Sequence, residues 1–149
     1  MFEIDESEEG QERRCHFGLD GRTNELILTK PLPTNMSKMN ALRFSIAKWE
    51  VIAMLCEENH RVETENGHKT CALCLSYWDM GKSACVSRVD QKCPIAMASG
   101  QDACRGTPYS SFTNADKEDS YDRQEAAERE VIFLRGLLEL AIEEELSDE

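Results

Sequence analysis

The sequence contains no run of eighteen apolar residues, so no segment is expected to cross a bilayer as a helix. Basic residues are scarce: 17 Lys and Arg stand against 29 Asp and Glu, a net charge of −12. A chain so acidic has no general attraction for nucleic-acid phosphates, and direct nucleic-acid binding is not expected. Histidines number three, with no Ser/His/Asp set around them. A deaminase-type H-x-E with P-C-x-x-C is also missing, and an enzyme is not expected. Gly81, Lys82 and Ser83 resemble the end of a phosphate-binding loop, but Ser76 stands where its leading glycine belongs and no apolar strand precedes it. The opening MFEIDESEEG lacks the basic-then-apolar order of a secretory signal. A reducing cytoplasm is therefore expected, where thiols and metal sites outlast disulfides, and the odd count of seven cysteines agrees.

The charge is unevenly placed. Residues 1–14 carry six acids and two bases, residues 15–59 five of each, and residues 60–110 six bases and five acids. Residues 111–149 carry thirteen acids and four bases. The middle is nearly neutral and the acid sits at the ends. Residues 1–13, acidic and poor in apolar groups, are expected to form a disordered tail. Residues 14–146 suit one small domain. In it, residues 14–34 read as a hairpin or extended arm: Phe17 and Leu19 alternate, Asp20 and Gly21 signal a turn, and Leu26 and Leu28 return. Pro31 and Pro33 end the strand.

A first helix is expected within residues 35–60, capped by Asn35 or Ser37. Met39, Leu42, Ile46, Trp49, Ile52 or Ala53, and Cys56 recur at three- and four-residue steps and make one core stripe. A second helix is expected over 120–146. Its stripe is Ala127, Val131, Leu134, Leu138 and Ala141, widened by Ile132, Leu137 and Ile142. Asp122, Glu125 and Glu128 suit its positive end, whereas Glu143, Glu144 and Glu145 have the wrong sign for its negative end. The fold class is mainly α: two antiparallel helices flanking a cysteine-rich knuckle, with a short N-terminal hairpin.

The knuckle, residues 61–110, holds five of the seven cysteines within CALCLSYWDMGKSACVSRVDQKCPIAMASGQDACRGTPY. Cys71 and Cys74 form a C-x-x-C pair, able to aim two sulfurs at one ion. Cys93, followed by Pro94, and Cys104 supply a second, wider pair. Four thiolates suit a structural Zn2+, with an iron–sulfur cluster as a variant. Disulfides or ordinary thiols are the alternatives. Cys85 with Cys93 is another second pair, and His68 could replace a thiol. Leu73, Tyr77 and Trp78 are expected in a short helical turn after Cys74. Cys15 and His16 receive no role, and Cys56 reads as a buried apolar residue.

The order of these elements resembles a family of small proteins encoded by tailed bacteriophages. The residues that carry the resemblance are Trp49, then Cys71, Leu73, Cys74 and Tyr77 as C-x-L-C-x-x-Y, then Cys93, Pro94 and Ile95. Gly100 and Cys104, with Gly106, Thr107, Pro108 and Tyr109, precede a closing helix bearing Val131, Phe133, Leu134 and Leu137. Residues 1–35 fall outside it, and Cys85 stands farther from the Cys-Pro than the family's cysteine. The resemblance implies phage origin and a host-cytoplasm location, and it carries no activity.

Two function classes follow. The first is an interaction protein that binds and inhibits or modulates a host protein, such as an anti-defence or anti-CRISPR factor, its acid meeting a basic surface by nucleic-acid mimicry. The plain reading of the same acid is a solvated face. The second is a nucleic-acid-binding zinc module, using Lys69, Lys82, Arg88, Lys92 and Arg105 with Tyr77, Trp78 and Tyr109. The sequence sets no oligomeric state.

Overall fold

A computed structural model describes residues 3–33, 36–62, 64, 78–79, 84–85 and 120–147. The described chain is mostly helical, and its elements in order are α1 (Glu8–Arg14), β1 (Phe17–Leu19), β2 (Leu26–Leu28), α2 (Lys38–Glu57), β3 (Trp78–Asp79), β4 (Ala84–Cys85) and α3 (Ser120–Ser147).

α2 starts where its caps require. The Ser37 hydroxyl accepts from the Asn40 amide at 3.1 Å, so Ser37 is the cap. The other end closes in a Schellman motif. Asn59 takes a left-handed φ of 62°, its amide donates to Cys56 O, and the His60 amide donates to Leu55 O. Between these ends Leu42, Ile46, Trp49, Ile52, Ala53 and Cys56 are all buried, as their spacing predicts.

α3 packs along α2 in the opposite direction. Three contacts fix the register: Lys38 Nζ with Glu144 at 3.2 Å, Glu50 with Arg135 at 3.0 Å, and the Arg123 guanidinium on Val62 O. Ala126, Ala127, Val131, Leu134 and Ala141 face the seam. Burying each large side chain there contributes about 1.5–3 kcal/mol. Ile132 and Ile142 do not widen this stripe. They are 62% and 36% exposed: Ile132 sits on the face of α3 turned away from α2, and Ile142 sits at the edge of the stripe in the exposed last turns.

The hairpin forms as expected. β1 and β2 are antiparallel, with Phe17 opposite Leu28 and Leu19 opposite Leu26. Asp20 organises the connection: its carboxylate accepts from the Arg22 amide, and its backbone bonds to Glu25 and Asn24. Phe17 and Leu26 enter the core, and the Leu26 amide donates to Thr64 O, tying the segment after α2 to the hairpin.

The N-terminal expectation is overturned. Residues 8–14 are the helix α1, packed against α2. Ser7 caps it by accepting from the Gly10 amide at 3.1 Å. Glu8 and Glu9 stand in its first turn and Arg13 and Arg14 in its last, each with the favourable sign. Gly10 is buried against Asp5, where an added Cβ would lie 2.6 Å from the Asp5 carbonyl oxygen.

Candidate functional site

Cys71, Cys74, Cys93 and Cys104 lie outside the described residues, as does His68. Among the described residues no group of three or more His, Cys, Asp or Glu could hold a metal ion. The run from Cys71 to Tyr109 is described at one place. Trp78 pairs with Cys85, and Asp79 with Ala84, in an antiparallel hairpin of β3 and β4. Trp78 is therefore in a strand, not in the expected helical turn, and Cys85 belongs to the partner strand.

Two other cysteines separate cleanly. Cys15 is exposed and Cys56 is buried. Desolvation between the helices pushes the Cys56 thiol up to about 11, with the Arg123 charge opposing it. Cys56 is thus a protonated core side chain. His16 contacts the Pro31 carbonyl oxygen at 3.1 Å through Nδ1 and meets the Phe44 ring edge-on, and His60 lies 3.5 Å from Glu58 on the surface.

The best-defined polar cluster centres on Glu50, a residue sequence reasoning passed over. Its side chain is 2% exposed. One carboxylate oxygen accepts from the Asp5 amide at 2.8 Å and from Arg135 at 3.0 Å, while the other meets Arg14 at 3.4 Å. The same guanidiniums reach back to the N-terminal backbone: Arg14 donates to Asp5 O and Arg135 to Glu3 O, each at 2.5 Å. Asp5 in turn accepts from the Ser7 amide at 3.0 Å. The Ser7 hydroxyl and amide hold the Asp5 carboxyl below its ordinary 3.8, with help from Arg13 and Arg14 and against slight desolvation. The cluster fastens residues 3–14 across the α2–α3 seam. Its carboxylate is committed to three donors, which suits anchoring and not proton transfer.

A signal for it was present. Glu50 lies four residues after Ile46 and three before Ala53, a charge placed at core spacing. Glu130, three after Ala127 and four before Leu134, is another such charge and is 1% exposed.

Two surfaces gather acid. An open cleft of about 470 Å³ between the N-terminal segment and α2 is lined by Glu3, Ile4, Glu6, Met54 and Glu57. The last turns of α3 expose Glu139, Glu143, Glu144 and Glu145, with no base in the final turn. No described helix is long and apolar enough to cross a membrane. Compared with known proteins, the chain matches no family model, no curated protein and no solved structure.

Proposed function

We propose that this chain is a non-enzymatic interaction protein that docks on a basic surface of a host protein and inhibits or modulates it. The observation that carries the reading is the acidic end of α3. Glu145 is exposed at the negative end of the helix dipole, where its carboxylate costs about 0.3–1 kcal/mol instead of stabilising the helix, and Glu143 and the Lys38-paired Glu144 extend the same exposed acidic end. An unfavourable charge kept at a helix end serves binding better than folding. The acid-lined cleft adds to it: Ile4 and Met54 suit the aliphatic stem of a Lys or Arg whose head meets Glu3, Glu6 and Glu57.

In this reading Cys71, Cys74, Cys93 and Cys104 hold a structural Zn2+ that staples the segment between α2 and α3. The β3–β4 hairpin supports it, because it reverses the chain between the two thiol pairs, as their convergence requires. The resemblance to tailed-phage proteins supports phage origin and action in a host cytoplasm.

The test is affinity purification of the tagged protein from bacterial lysate with metal analysis of the product. A basic partner retained at about 50 mM salt and lost by about 300 mM is expected, since charge-driven contacts weaken as the screening length shortens. One zinc per chain, lost in Cys71→Ser, is expected alongside it. A partner held equally well at both salts overturns the acidic docking, and zinc-free protein overturns the staple. Retardation of DNA or RNA in a low-salt gel shift would favour the nucleic-acid reading instead.

A further inference from the structure

The outer face of α3 has its own pattern. Ile132 and Leu140 are 62% and 56% exposed, large apolar side chains facing away from the α2 seam. Gly136 stands midway between them, and a Cβ built on it would meet nothing within 4 Å. The three residues follow at four-residue steps, so they form one ridge of the kind that packs against another helix. A glycine within a helix is less favourable than an alanine. Here it leaves a notch where a second backbone can approach closely.

One pair of opposite charges on this face is placed symmetrically about the same glycine. Arg129 and Glu143 are equally far from Gly136 on its two sides, and both are exposed. Arg129 pairs with Glu125 one turn earlier at 2.5 Å, an exposed pair of small energetic weight. An antiparallel two-fold through Gly136 brings Ile132 of one copy onto Leu140 of the other and Arg129 onto Glu143. The mirror pair Glu128 and Glu144 lies about 80° round the helix from Gly136 on opposite flanks, which keeps those like charges apart.

We propose that this face is a homodimer interface in which α3 of one copy crosses α3 of a second, antiparallel, about a two-fold at Gly136. The charge complementarity of Arg129 with Glu143 under that symmetry selects a second copy over an unrelated helix. The contact is small, so the dimer is weak, with a Kd on the order of 10–100 µM.

The test is analytical ultracentrifugation of the full chain under reducing conditions, across about 5–500 µM, a range that brackets the expected Kd. A reversible monomer–dimer equilibrium is expected. Ile132→Glu weakens it at least about tenfold by placing a charge in the apolar contact. Arg129→Glu weakens it about threefold, and Arg129→Glu with Glu143→Arg restores it to within about twofold, as a direct pair requires. Circular dichroism of each variant should match the parent, because all three positions are exposed. Monomer at every concentration overturns the proposal, even if another protein is captured through Ile132. A dimer indifferent to Ile132→Glu, or a double variant no better than the single, overturns it as well.

Discussion

Glu50 and Glu145 are the same residue on two helices of one seam, and the fold treats them oppositely. Glu50 is buried, held by two guanidiniums and a backbone amide, and connects α1, α2 and α3. Glu145 is exposed at the end of α3, in a turn without a base. The first charge is structural because removing it strands its partners. The second is available because the helix gains nothing by keeping it. Breaking the first half of the comparison gives the largest effect. Glu50→Ala should cost about 3 kcal/mol in urea unfolding followed by circular dichroism, since Arg14 and Arg135 lose a buried counter-charge. Glu50→Gln, which keeps the shape, should cost less. A loss under about 1 kcal/mol would mean that the cluster is not an anchor.

The N-terminal segment tests the same anchor from its other side. Gly10→Ala puts a Cβ within 2.6 Å of a backbone carbonyl oxygen, so either α1 or the Asp5 turn must shift. The gain in helix propensity is about 1 kcal/mol, and the clash should outweigh it by about 1–2 kcal/mol. Tryptic cleavage after Arg13 or Arg14 should accelerate as the segment detaches. Unchanged cleavage together with raised stability would show that the packing there is loose.

These two sites show where the sequence was legible. The α2 stripe from Leu42 to Cys56 and the Phe17–Leu28 hairpin follow from periodicity, because apolar burial imposes a regular spacing, and the antiparallel pairing follows from two long helices joined across one intervening segment. α1 was missed because its stability comes from elsewhere. Residues 8–14 have little apolar surface, and Ser7, Asp5 and the distant Glu50 hold them in place. Gly10 gives the close approach of α1 to Asp5 that a Cβ would block. Ile132 and Ile142 read as core by hydrophobicity alone, which does not tell a seam from an exposed edge or outer face. The four candidate zinc ligands were chosen by spacing, a local property, whereas their convergence depends on how the chain between them folds.

Acid should loosen the anchored half. Asp5 has a folded pKa below its ordinary 3.8, so it binds its proton less readily folded than unfolded. Its contribution is fully present above about pH 4 and is lost as pH falls through the lowered folded value. Wild-type protein should therefore lose stability more steeply below pH 4 than Asp5→Asn does, in unfolding curves taken at successive pH values. Parallel slopes would detach Asp5 from the N-terminal turn.

The smallest effect carries the sharpest contrast. Glu145→Lys replaces an exposed acid at the negative end of α3 by a base, which should raise stability by about 0.3–0.5 kcal/mol. If the acid were there only to be solvated, that gain would be the whole result. If it serves a basic partner, the same substitution should weaken binding in a low-salt pull-down while the thermal midpoint rises. Opposite signs in the two measurements cannot come from a folding defect, since a destabilised protein would lose both. Binding that survives the charge reversal would place the contact elsewhere, with the cleft at Glu3, Glu6 and Glu57 the next surface to reverse.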